Sequence, residues 1–279
     1  MVALKKLENG FEYVHIKNSV TEAKIALQGA HIFSFKPHNQ EDFFWLSDES
    51  VFSEGVAIRG GVPLCWPAFG MNNPSLPQHG FARTSLFKFV GFEELDENKT
   101  KVSFKLQHSQ KTLALWPYKF ELEFIVIISE EITMQLITTN KDTKPFELTQ
   151  AFHSYFDISH IDDVKLRGLE GKKMLDTLSD TTSLCDGVIE ISSEYDRVFQ
   201  GVESPLHLED SSRVITIEQK GAKSVVVWNP WIEKAKRMSG MRDDAYKEFI
   251  CVESANAFED VRVIEPSCEH CLEVKYLLV

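Results

Sequence analysis

The stretch Phe120-Glu121-Leu122-Glu123-Phe124-Ile125-Val126-Ile127-Ile128, with Ser129-Glu130-Glu131 and Ile132-Thr133-Met134-Gln135-Leu136-Ile137 behind it, decides the fold class of this chain. Phe120, Leu122, Phe124, Val126 and Ile128 alternate with Glu121 and Glu123 before the run becomes wholly apolar. After the link, Ile132, Met134 and Leu136 alternate with Thr133, Gln135 and Ile137. A period of two is that of an extended strand, whose successive side chains point to opposite faces. So short a link joins two such strands as an antiparallel hairpin, here 120–128 with 132–139.

The same pattern continues outward. Val102, Phe104 and Leu106 alternate with Lys101, Ser103, Lys105 and Gln107, giving one dry face and one wet one. Further strands are expected over 11–17, 23–28, 31–36, 86–94, 145–152, 213–219, 223–229, 248–253 and 271–278. Helical spacing is confined to short turns near 108–115 and 243–248. No Gly- or Ser-rich linker, repeat or low-complexity tract divides the chain. The fold class is therefore all-β, a large antiparallel β-sandwich, with residues 1–279 as one domain.

Composition narrows the function. The 279 residues are 43% hydrophobic and 11% aromatic, enough for one large core, and carry a net charge of −12. That acidity argues against nucleic acid or an anionic membrane as partner, since both select basic surfaces. Residues Met1 to Gly10 lack a signal-peptide core and no stretch is long enough to span a membrane, so a cytoplasmic protein is expected. Five cysteines do not suggest a disulfide framework. Cys268-Glu269-His270-Cys271 is a single CxxC pair, where structural zinc takes four ligands, and reads as a turn into the last strand. No interface stripe is evident, and a monomer is the default.

Three segments carry unusual chemistry. Gln78-His79-Gly80-Phe81-Ala82-Arg83 and Ala151-Phe152-His153-Ser154-Tyr155-Phe156 each set a histidine among small, aromatic and polar residues. The other seven histidines have no distinctive surroundings and read as structural. In the third segment Glu253 follows the apolar run Phe249-Ile250-Cys251-Val252, which places an acid at the buried end of a strand. Buried carboxylates are rare unless paired or functional. Imidazole and carboxylate together can move protons on and off neighbouring oxygens near neutral pH. Arg59 and Arg83 run against the acidic background; Arg59, beside Gly60-Gly61, reads by itself as a solvated residue of a plain turn, whereas Arg83 suits a phosphate or carboxylate and Gln78 suits hydroxyls. Trp228-Asn229-Pro230-Trp231 reads as a rigid aromatic loop, able to stack on a sugar ring or to pack in the core.

Taken in order, Arg59-Gly60-Gly61-Val62-Pro63, Leu76-Pro77-Gln78-His79-Gly80-Phe81-Ala82-Arg83, Phe152-His153-Ser154-Tyr155-Phe156, Trp228-Asn229-Pro230-Trp231 and Val252-Glu253 resemble the hexose-6-phosphate mutarotases. These are the glucose-6-phosphate 1-epimerase branch of the aldose 1-epimerase, or galactose mutarotase-like, superfamily. The resemblance runs from about residue 20 to the C-terminus. It implies a β-sandwich of large twisted sheets and no metal or organic cofactor. By position it implies His153 as general acid, Glu253 as general base, Arg59, Gln78 and Arg83 as substrate-binding residues, His79 as a second histidine on the sugar, and Asp196 as an acceptor for sugar hydroxyls. The expected partner is then a small sugar phosphate, because two arginines in one pocket of so acidic a chain imply an anion. Thr84-Ser85-Leu86-Phe87 and Gly240-Met241-Arg242 depart from the family's pattern. Other readings of the same residues are a mutarotase of unphosphorylated aldoses, a carbohydrate-binding module without chemistry, and a metal-dependent sugar isomerase with His79, His153 and Glu253 as ligands.

Overall fold

A computed structural model of the chain describes residues 1–71, 73–203 and 205–279. Two eight-stranded sheets form its body. One runs, by neighbours, Lys165–Arg167, Leu206–Glu209, Val214–Lys220, Glu269–Leu278, Ile132–Asn140, Phe120–Ile128, Lys99–Gln107 and Lys88–Asp96. The expected hairpin is its centre, with Phe120 opposite Asn140 and Ile128 opposite Ile132. Burial alternates residue by residue along 120–128 and 132–140, so one face is dry, as the spacing of the apolar residues requires.

The second sheet runs Thr181–Leu184, Lys173–Asp176, Tyr195–Gln200, Ser224–Asn229, Phe249–Asn256, Gln150–Phe152 and Leu64–Cys65. Tyr155–Asp157 also pairs with Phe249–Asn256. At its centre both faces are covered: all eight residues of Phe249–Asn256 and all six of Ser224–Asn229 are buried, whereas the edge strand Thr181–Leu184 is exposed. The interior side packs on the first sheet, where the Phe152 ring meets Phe124 with centroids 6.0 Å apart and Ser154 Oγ bonds Tyr276 Oη at 2.7 Å. A four-stranded sheet (Val2–Lys6, Glu12–Lys17, Thr21–Ala26 and Ile32–Pro37) and a two-stranded ribbon (Phe146–Leu148 with Arg262–Ile264) complete the strands named here. The all-β sandwich expectation is met, and no helix of the described residues is long and apolar enough to cross a membrane.

Four local expectations are corrected. The run 145–152 is two strands: Phe146–Leu148 pairs with Arg262–Ile264, and Gln150–Phe152 crosses into the site sheet. Thr149 makes the switch, its amide donating to Pro67 O and its hydroxyl accepting from Phe69 N. Trp228-Asn229-Pro230-Trp231 is no aromatic loop. Trp228 and Asn229 end a strand, Trp231 opens the helix Trp231–Ala235, and Trp228 is buried. Glu253 lies inside a strand that continues to Asn256, where polar Ser254 and Asn256 had masked the continuation. Cys271 sits within the last strand, opposite Ile137, and only Cys268 belongs to the turn before it.

Candidate active site

The site is built on the face of the second sheet turned away from the sandwich interior. Phe152 lies opposite Ser254 and Tyr155 opposite Cys251. The same register carried through the two unpaired residues between them sets His153 directly across from Glu253. Phe152 and Ser154 point into the sandwich, as their contacts with Phe124 and Tyr276 show, so His153 and Tyr155 point out. His153 Nε2 and Glu253 Oε1 are 3.4 Å apart. Both side chains are almost wholly buried, His153 at 8% and Glu253 at 1% exposure. His153 Nδ1 and Glu253 Oε2 have no hydrogen-bond partner among the described residues. Buried polar atoms of this kind are costly to leave unpaired and call for an explanation.

Packing fixes the imidazole. Tyr155, two residues on, stacks on it with centroids 4.9 Å apart and planes 12° apart, and Trp228 meets it edge-on at 5.9 Å. The His79 ring stands at 5.5 Å and 77° to it. His79 is placed by a strained turn: its own φ is +64°, Gly80 follows at +72°, and Gly70 N donates to its Nδ1 at 3.2 Å. A Cβ on Gly80 would come within 2.1 Å of Trp66 O, so the turn requires glycine there. Gln78 Nε2 lies 3.4 Å from His79 Nε2, and Arg83 Nη2 donates to Gln78 O at 2.9 Å, closing the loop on itself.

Arg59 arrives from another loop, stitched to the histidine segment by the Tyr155 N to Gly61 O and His153 N to Pro63 O bonds. Its Nη1 lies 3.4 Å from Tyr155 Oη. Neither Arg59 nor Arg83 forms an ion pair with a carboxylate among the described residues. Asp196 comes from Tyr195–Gln200, opposite Trp228, which in turn is opposite Cys251, two residues from Glu253. All seven residues expected at a site therefore gather on one patch.

The protonation states follow from burial first. It pushes the Glu253 carboxyl well above the usual carboxylate range; the Asp196 carboxylate adds to this and Arg83 opposes it. Burial holds the His153 imidazole well below its usual value, and His79, Arg83 and Arg59 add to the effect. His79 is held down to about 3 by burial and the two arginines. Both members of the central pair are thus biased towards their neutral forms. No three His, Cys, Asp or Glu side chains among the described residues converge as they would around a metal ion.

Sequence reading missed two residues here. Tyr155 could have been found from its spacing of two from His153 on an extended segment. Lys234, whose Nζ lies 3.1 Å from Glu194 Oε1 and 3.8 Å from Asp196 Oδ2, gave no local signal, because the helix that carries it was not foreseen.

The chain as a whole is similar to known proteins. A family model described as Aldose 1-epimerase matches residues 12–276. A relative from Escherichia coli (strain K12), named "Putative glucose-6-phosphate 1-epimerase", is 34% identical over 275 residues, covering 97% of this chain and 91% of its own length. A relative of the same name from Cenchrus ciliaris is 33% identical over 279 residues, covering 95% and 84%. A crystal structure from Salmonella typhimurium, described as "a putative mutarotase", superposes with a TM-score of 0.93 at 31% identity, covering 100% of this chain and 93% of its own. Galactose 1-epimerase from Lactobacillus acidophilus shares the fold at a TM-score of 0.78 and 12% identity, covering 100% and 98%.

Proposed function

The chain belongs to the aldose 1-epimerase family, and on that premise we propose that it interconverts the α and β anomers of a hexose 6-phosphate, glucose 6-phosphate being the first candidate. The observation that carries the reading is the buried His153–Glu253 pair, 3.4 Å apart across two strands, with unpartnered atoms on both side chains. In the proposed reaction Glu253 takes the proton of the anomeric hydroxyl, and protonated His153 gives one to the ring oxygen as the C1–O5 bond breaks. The open-chain aldehyde turns about C1–C2 and closes on its other face, with the two roles reversed. One proton leaves the sugar and one enters it, so the step is balanced without an oxidant, reductant or water. General acid–base help of about 10²–10⁴-fold per positioned group is enough to matter for a reaction that already proceeds slowly in water.

The remaining residues position the sugar. Asp196 accepts from sugar hydroxyls, and Gln78 and His79 face the ring from the strained turn. Arg59 and Arg83 take the phosphate. Two guanidinium groups without a carboxylate partner, in a chain of net charge −12, form a local positive site suited to an anion. Names of relatives at 33–34% identity support the phosphate ester over the free sugar. The same reading takes residues 1–279 to act as one domain and as a monomer.

The test is magnetisation-exchange NMR of α- and β-glucose 6-phosphate with catalytic amounts of protein, beside free glucose and galactose. Faster exchange for the phosphate ester is expected. Faster exchange for free sugars alone would remove the phosphate from the proposal, and none for any sugar with folded protein would leave a binding module.

A further inference from the structure

We propose that Lys234 is a positioning residue of this site: its ammonium group, delivered by the helix Trp231–Ala235, holds the Asp196 carboxylate in place as a hydroxyl acceptor beside Glu253. The inference rests on the mutarotase reading for the role of Asp196 towards the sugar.

The delivery is built into the fold. Ser224–Asn229 ends in Asn229, a fully buried side chain. Its Nδ2 donates to Tyr246 O and Phe249 O, both at 2.9 Å, and its Oδ1 accepts from Trp231 N at 2.9 Å. Those three bonds set the direction in which the chain leaves the strand and turns into the helix. Pro230, with φ of −70°, stiffens the step. One turn later Lys234 reaches back over the sheet. Its Nζ lies 5.8 Å from the centroid of the Trp228 ring, the residue opposite Asp196, and 3.8 Å from Asp196 Oδ2. A lysine held over an aromatic face and between two carboxylates has lost much of its rotamer freedom, and only a fixed structure repays that.

The charges around Asp196 show why a cation is needed there. Glu194 lies two residues before it, just ahead of the strand Tyr195–Gln200, and Asp176 belongs to the neighbouring strand, paired with Arg197 at 2.9 Å. Thr177 Oγ1 and N both donate to the Asp196 carbonyl. Glu253 faces it from Phe249–Asn256 and is pushed up by it. Burial raises the Asp196 carboxyl, Glu194 and Asp176 raise it further, and Lys234 is the largest influence pulling it down. Without Lys234 this half-buried carboxylate would have like charges on two sides. It would then take up a proton at higher pH. A protonated carboxyl would present an O–H where the sugar hydroxyl needs an acceptor, and the negative charge beside Glu253 would be gone.

The experiment compares the full chain with Lys234→Met and Lys234→Arg by ¹³C NMR titration of the carboxyl groups, the Asp196 signal assigned with Asp196→Asn. The rate of anomer exchange is followed over the same pH range. Removing an opposite charge at this distance and exposure is expected to raise the Asp196 midpoint by about one pH unit. Beyond the limb set by the His153–Glu253 pair, kcat/KM of Lys234→Met should be about twofold lower at the new Asp196 midpoint, and about tenfold lower one pH unit beneath it, than where Asp196 is ionised. Lys234→Arg keeps the cation and should restore both. In an Asp196→Asn background Lys234→Met should shift nothing. An unmoved Asp196 midpoint in folded Lys234→Met overturns the proposal. So does a rise in KM confined to the phosphate ester at an unmoved midpoint, which would make Lys234 an anion contact instead. If no sugar is turned over, the function fails and the Asp196 midpoint still decides the role of Lys234.

Discussion

Glu253→Gln separates catalysis from stability more sharply than any other change in this molecule. Glutamine has nearly the same shape, so no cavity opens at a position only 1% exposed, and the strand Phe249–Asn256 keeps its pairing. What is lost is the capacity to take a proton. A general base is worth about 10²–10⁴-fold, or about 3–5 kcal/mol of barrier. Water has little access at this burial to replace it, and Asp196 is held by Lys234. The loss in anomer exchange is therefore expected at roughly 10³-fold or more. On the proposed assignment His153 and Glu253 work as a unit, so adding His153→Asn should cost little beyond the single change.

Stability should move the other way with pH. The folded-state pKa of Glu253 lies above its ordinary value of 4.5, chiefly through burial. Between those two values the native protein binds more protons than the unfolded chain, so wild-type stability falls as pH rises through the window. The amide of the Glu253→Gln variant does not titrate and escapes that loss. The melting temperature of Glu253→Gln minus that of the wild type should widen from pH 5 to pH 8. Each tenfold weakening of the acid in the fold corresponds to about 1.4 kcal/mol, at about 2–4 °C per kcal/mol for a chain of this size. A folded Glu253→Gln protein with near wild-type exchange rates would refute the base assignment. Melting curves that move in parallel with pH would refute the buried, strained carboxyl.

Two further outcomes follow from the loops. Arg59→Gln and Arg83→Gln should each raise KM for glucose 6-phosphate about 10–100-fold relative to free glucose, the range for one charge-assisted hydrogen bond; equal effects on both sugars in steady-state assays would take the phosphate away from these residues. Gly80→Ala should lower the melting temperature by several degrees, because its Cβ would meet Trp66 O at 2.1 Å at a φ of +72° and such strain costs about 1–3 kcal/mol; an unchanged melt would mean that the turn relaxes freely.

The hairpin of 120–128 and 132–140 was legible because one of its faces is wet, and alternation records that difference directly. In the central strands of the site sheet both faces are covered, and the sequence signal fades for that reason. Tyr195–Gln200 carries Asp196 and Arg197 in mid-strand and shows no clean period, so the strand that holds Asp196 could not be seen. The motifs around His79, His153 and Glu253 were visible as unusual local chemistry. Their meeting was not, because register is set by pairing over long stretches of chain: 100 positions separate His153 from Glu253. Lys234 lay further out of reach. Its role depends on an elbow made by Asn229, whose three backbone bonds reach residues up to 20 positions away.

Burial that biases His153 and Glu253 towards neutrality looks at first opposed to a reaction that begins with a charged acid and a charged base. The opposition is resolved by counting protons. On the proposed assignment the closed-ring complex holds imidazolium and carboxylate. Once the ring opens, His153 has given its proton to the ring oxygen and Glu253 has taken one from the anomeric hydroxyl, so both are neutral. The low-dielectric setting that penalises the charged pair favours the neutral pair formed with the open aldehyde, so the cost of charging His153 and Glu253 is returned as the ring opens. The resting pair needs one proton, whichever partner carries it. It is disabled only by taking up a second proton or by losing the last. Burial moves the first event below the ordinary imidazole value of 6.5 and the second above the ordinary carboxylate value of 4.5. The two limbs belong to the pair jointly. The profile of kcat/KM against pH should accordingly have its acid limb below 6.5 and its alkaline limb above 4.5, with a plateau between them. A single sigmoid centred near 6.5 would mean that His153 titrates as an independent, solvated imidazole, and the coupled-pair mechanism would fall with it.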